Sequence, residues 1–124
     1  MRLAMLSIRD RLDRVGVLLS GLCAVHCLAS LMLVAGLGLG GGWLLAPAIH
    51  RIGLALAIAV GAMTLVVGAI RHRDPVPLHA GAVGLALMTL ALFVGHGAEE
   101  AILTIAGVSV LAYAHLRNIR AGSC

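Results

Sequence analysis

The chain has 124 residues, of which 61% are hydrophobic, 2% aromatic and 11% charged, and its mean hydropathy is +1.09. A soluble domain of this length must show water a large polar surface, which nine basic and five acidic residues cannot supply, so the composition argues against a soluble enzyme and for an integral membrane protein. The net charge of +4 does not point to nucleic acid, because every basic residue is Arg and sits beside or between apolar runs, where membrane topology puts such residues.

Residues 1–14 form a basic segment with Arg2, Arg9, Arg11 and Arg14. Within it Met5, Ile8, Leu12 and Val15 recur at helical spacing, which fits a helix lying in the membrane interface; a flexible basic tail is the other reading. The first apolar run, about 15–37, exceeds the core of a cleaved signal and lacks a small-x-small site, so a permanent crossing is expected. After a glycine-rich link ending at Pro47, the second run covers about 49–70; Arg71, Arg73, Pro75 and Pro77 separate it from the third, about 78–94. Gly95 and Gly97 precede the fourth, about 101–116, and 117–124 form a tail. Each run approaches the roughly 20 residues that span a bilayer core, and the short links make successive helices antiparallel neighbours. The expected fold is all-α: an integral membrane four-helix bundle over 15–116. Arginines gather in the N-terminal segment, the second link and the tail, so both termini are expected in the cytoplasm. Small residues four apart, such as Gly16 and Ser20 or Ala80 and Gly84, are consistent with close helix packing.

The chemistry concentrates in Cys23-Ala24-Val25-His26-Cys27. On a helix, residues three and four apart are neighbours, so two sulfurs and an imidazole are expected to converge on one ion. Thiolate and imidazole suit zinc, copper(I) and other thiophilic ions better than magnesium or calcium. Cysteine also serves as a small buried apolar residue, but an ionisable histidine in the same crossing favours function. A disulfide between Cys23 and Cys27 is disfavoured in a regular helix. At about 1.5 Å per residue, Cys23 and Cys27 lie about 12 and 18 Å into the first crossing from the cytoplasmic side, and His115, about 21 Å down the oppositely directed fourth, lies roughly 9 Å from the cytoplasmic edge of a core of about 30 Å. His115 therefore becomes a fourth candidate metal ligand; the alternative is a histidine at a helix end beside Arg117. On the other side His50, His96, Glu99 and Glu100 could collect entering cations, although acidic residues at a helix start also suit its dipole. His72 and His79 read as solvated loop histidines. Cys124 is a candidate cytoplasmic acceptor or an unused thiol.

These residues resemble the MerC-type mercuric ion transport proteins. The resemblance rests on the Arg- and Asp-bearing entry to the first crossing, Cys23 to Cys27, His50, Arg71-His72-Arg73, and His96 through Glu100. It closes on Ala114-His115-Leu116-Arg117-Asn118. It implies a multi-pass protein of the bacterial inner membrane that passes Hg2+, or another soft ion such as Zn2+, to the cytoplasm, with Cys23 and Cys27 as the relay pair. It implies no permanent cofactor and no enzymatic reaction; the metal ion and the lipid are its partners, with a cytoplasmic metal acceptor and a second copy of the chain as further candidates. The mercury transporters typically carry a second, cytoplasmic cysteine pair, and here only Cys124 remains. Two other readings stay open: a metal sensor or accessory subunit that does not transport, and a redox protein using the cysteines with a quinone or with haem held by His26 and His115.

Overall fold

The computed structural model describes residues 1–38, 42–95 and 97–123. Helix α1, Arg2–Leu37, is a single rod in which the basic segment continues into the apolar run. It stops at Gly38, whose φ of 63° is left-handed and whose N–H returns to the Leu33 carbonyl, an arrangement glycine adopts without steric cost. A short 3-10 turn, Gly42–Leu45, leads to α2, Pro47–Gly61, with Pro47 in the first turn, where the missing N–H costs nothing. A π-helical turn, Ala62–Val66, joins α2 to α3, Val67–His72, so Pro47–His72 runs as one apolar helical stretch. Arg73, at φ 53°, breaks it. Asp74 Oδ1 then accepts the Val76 N–H at 3.1 Å, capping α4, Val76–Ala91. The last helix, α5, covers Ala98–Ser123, with Glu99 and Glu100 in its first turn.

The pairings give an up-down-up-down bundle. Arg9 lies against Gly122, Gly16 against His115, and Cys27 shares a cavity wall with Ala101, so α1 and α5 are antiparallel. Cys27 faces His50 and Cys23 faces Gly53, which makes α2 antiparallel to α1. Helices α4 and α5 touch through backbone: a Cβ on Gly84 would stand 2.7 Å from the Gly107 carbonyl oxygen. Leu54, Ala57, Leu65, Met88, Val108, Leu111 and Ala114 form the core.

Polarity is inverted relative to a soluble bundle. Arg9, Asp13, Thr64, Glu100, Thr104, His115 and Asn118 are buried, while Leu18, Leu22, Val25, Met32, Ile52, Ile70 and Ile102 face outward. Such a surface belongs in hydrocarbon, where polar groups must find partners inside the protein. Three helices, Ser7–Leu37, Pro47–His72 and Ala98–Ser123, are long and apolar enough to cross a membrane. Helix α4, with 16 residues, reaches only about 24 Å at 1.5 Å per residue, less than the roughly 30 Å core. The fold is an all-α membrane bundle.

Three boundaries differ from the sequence expectation. The basic segment is helical and continuous with α1, and the tail after Leu116 is mostly helix, because the two ends pack on each other. The third helix ends at Ala91 rather than near Val94, four residues before Gly95.

Candidate metal site

Cys27 is 5% exposed, and its Sγ lies 3.7 Å from His50 Nε2. The other ring nitrogen, Nδ1, stands 3.5 Å from Glu100 Oε1. An Nδ1–H tautomer facing that carboxylate would leave Nε2 as the lone-pair nitrogen able to accept from the thiol. The His26 and His50 rings meet edge to face at a centroid distance of 5.8 Å, and among the described residues His26 Nε2 is buried without a hydrogen-bond partner. Cys23, one turn away, is half-buried.

Cys27 and His50 stand between two cavities. One, about 80 Å3, is bounded by Ser30, Leu45, Gly97 and Glu100. The other, about 450 Å3, follows the groove between α1 and α2 past Cys23, His26, Gly53 and Thr104. Leu22, Ile52 and Leu56 at its margin are exposed, so this groove opens sideways through apolar lips.

A second polar cluster occupies the arginine-rich end. Asp13 and His115 are each 0% exposed, with Nδ1 of His115 donating to Asp13 Oδ1 at 2.7 Å. Asn118 Nδ2 donates to Asp13 Oδ2 at 2.8 Å and reaches the Thr64 carbonyl at 3.2 Å. Thr64 Oγ1 donates to the Val60 carbonyl and lies 3.5 Å from His115 Nδ1, which ties the π-helical turn to the cluster. Arg9 Nε stands 3.9 Å from Asp13 Oδ2, and Arg9 Nη1 donates to His72 Nε2 at 2.8 Å. Among the described residues His115 Nε2 has no hydrogen-bond partner, a state that costs about 1–3 kcal/mol for a buried polar group.

The expected ligand set is therefore split. Cys23, His26 and Cys27 border one groove, but among the described residues no three His, Cys, Asp or Glu side chains are arranged to hold a single ion. Cys27 is buried against His50 and Cys23 is half-buried, and both thiols line the same groove. His115 does not complete that set. It sits level with Gly16, about 10 Å along α1 from Cys23 at the helical rise, held there by Asp13. Nor do His26 and His115 face each other as haem ligands would, since His26 packs on His50. His50 and Glu100 do come together, whereas Glu99 is exposed. His96 and Cys124 lie outside the described residues. His79 is exposed and bonds the Pro75 carbonyl, and His72 pairs with Arg9. Sequence reasoning missed Asp13, Thr64 and Asn118 as members of a buried cluster. A carboxylate four residues after Arg9, at the mouth of an apolar run, was the available signal.

The sequence profile of the MerC mercury resistance proteins matches residues 13–120, a stretch that holds Cys23, His26, Cys27, His50 and Glu100 as well as Asp13, Thr64, His115 and Asn118. The chain belongs to the MerC family. No curated protein and no solved structure gives a significant match. Membership makes this MerC protein a membrane component related to mercury resistance, and mercury is the softest of the ions that a cysteine pair favours.

Proposed function

We propose that this MerC protein carries a thiophilic metal ion, Hg2+ above all, across the bacterial inner membrane toward the cytoplasm through Cys23 and Cys27. The observation that carries this reading is the position of the two thiols: one buried on His50 between two cavities, the other half-open in the groove. The arginine-rich end is cytoplasmic in this reading, by the bias of short loops. His50 and Glu100 lie beside the small cavity at the opposite end and draw the cation toward Cys27. Each sulfur–metal bond replaces a thiol proton, which passes to a neighbouring base, while the ion's previous anionic ligand is released. For Cys27 the nearest base is His50 Nε2, with Glu100 behind it to steady the imidazolium. Two sulfurs satisfy Hg2+, which prefers two ligands, whereas Zn2+ wants four and finds no such set among the described residues. Release follows by exchange with an incoming thiol, because a site that binds too firmly does not conduct.

Accumulation of mercury and zinc by cells expressing the chain tests this. Mercury accumulation above the empty-vector level that falls back when both Cys23 and Cys27 become Ser supports carriage. Binding of mercury by the purified chain without accumulation supports a sensor or accessory subunit instead.

A further inference from the structure

In an apolar medium a helical hydroxyl is satisfied most simply by donating back to its own helix. Ser7, Ser20, Thr64, Thr89, Ser109 and Ser123 do so, each to a carbonyl three or four residues earlier. The exceptions are Thr104, on the groove, and Ser30. Ser30 is 5% exposed, its Oγ has no hydrogen-bond partner among the described residues, and it lines the cavity of about 80 Å3 together with Cys27, His50 and Glu100. Val34 and Gly97 on the same wall are exposed, so the cavity reaches the surface. The His50 and Glu100 side chains are 14% and 7% exposed, and Glu100 Oε1 stands 3.5 Å from His50 Nδ1. Zinc bonds of about 2.0–2.2 Å at a tetrahedral centre set two ligand atoms about 3.4 Å apart, so this pair already has the spacing of two ligands on one ion.

We propose that the small cavity is a binding site for a borderline divalent cation, Zn2+, held by His50 Nδ1, Glu100 Oε1 and water, and that zinc stops there and keeps mercury from Cys27. No third His, Cys, Asp or Glu among the described residues joins the pair, so water fills the remaining positions. The cavity has room for it, and Ser30 Oγ holds one of those waters as a positioning residue. Zinc goes no further, because the groove beyond Cys27 is walled mainly by Leu19, Leu22, Ile49, Ile52 and Leu54 and offers two sulfurs, enough for Hg2+ but not for Zn2+. The block follows from the imidazole. With zinc on Nδ1 the hydrogen of the neutral ring moves to Nε2, with no net gain or loss of a proton. Nε2 lies 3.7 Å from Cys27 Sγ, where a lone pair is needed to receive the thiol proton. The blocking half rests on the transport reading above; the binding half does not.

The test uses the full chain, free of any affinity tag, in lipid nanodiscs, with Cys23, Cys27 and Cys124 each replaced by Ser so that no thiol competes. Calorimetric titration with zinc chloride is expected to show one Zn2+ per chain, and the His50 Nδ1 resonance of histidine-labelled protein is expected to shift. Glu100→Gln should abolish this binding and Ser30→Ala should weaken it about tenfold; the two are read separately, so that failure of one to fold does not remove the test. In vesicles that hold a trapped thiol and the chain with its cysteines intact, zinc should slow mercury uptake, and Ser30→Ala should raise the zinc concentration for half-inhibition by the same factor. Zinc that does not bind the thiol-free chain, or binds it undiminished in Glu100→Gln and Ser30→Ala, overturns the site. Zinc bound there without slowing mercury uptake overturns the block. Mercury uptake at the protein-free rate, with zinc still held by His50 and Glu100, overturns the transport reading and leaves the site standing.

Discussion

Gly16 and Gly21 lie on the same helix, and replacing each by Ala separates a backbone effect from a contact. In a helix interior the change stabilises by up to about 1 kcal/mol at either position. At Gly21 nothing lies within 4 Å of the new methyl, so that gain stands. At Gly16 the methyl would lie 2.5 Å from His115 Nε2 and 2.7 Å from both Cδ2 and Cε1. The ring cannot swing aside freely, because Nδ1 is held at 2.7 Å by Asp13. Overpacking of this kind costs about 1–3 kcal/mol, so Gly16→Ala should fall below Gly21→Ala by that margin. Unfolding in a detergent series, followed by the helical circular dichroism signal, measures the difference. In a His115→Ala background the gap should close, because the missing ring leaves room for the methyl. Equal stabilities of Gly16→Ala and Gly21→Ala would refute the packing of His115 against α1.

Asp13→Ala should cost about 2 kcal/mol or more in the same assay, since it leaves His115 Nδ1–H and Asn118 Nδ2–H without their acceptor, whereas Asp13→Asn keeps an oxygen and should cost less; equal costs would contradict the network. An apolar thiol reagent delivered from the lipid should modify Cys23, which is half-open in the groove, faster than Cys27, which is 5% exposed; mass spectrometry of the digested chain reads the order, and faster reaction of Cys27 would contradict the groove. At the exposed turn before α4, the Val76 N–H, helped by Arg117, holds the Asp74 carboxyl below its ordinary value of 3.8. Its contribution to stability is therefore complete above about that pH and lost as the pH falls further, through the lowered folded value. An NMR titration of the Asp74 carboxyl with a midpoint at or above 3.8 would contradict the cap.

The four apolar runs, their order and the inverted polarity were legible because lipid selects for bulk hydropathy and short links. The true length of α1 and α5 was not. The sequence placed Arg9 in an interfacial helix or a flexible tail and assigned Asp13 no role, yet both are buried by Asn118, His115 and Gly122, more than 100 positions away in the chain. The depth of His115 was misjudged for the same reason: counting 1.5 Å steps from an expected helix start ignores the register set by the Asp13 bond and the Gly16 contact. The π-helical turn at Ala62–Val66, which presents Thr64 to this cluster, carries no proline or glycine signal within its own five residues. Cys23, His26 and Cys27 were legible as a spacing. Their division into a buried thiol on His50 and a half-buried one was not, because it depends on which side of α1 meets α2 and α5.

Mercury uptake into vesicles that contain only the purified chain and a trapped thiol tests the central claim most directly. The account predicts uptake faster than in protein-free vesicles for the wild type, and the protein-free rate for the Cys23→Ser, Cys27→Ser double variant. Uptake by the double variant at the wild-type rate would contradict it.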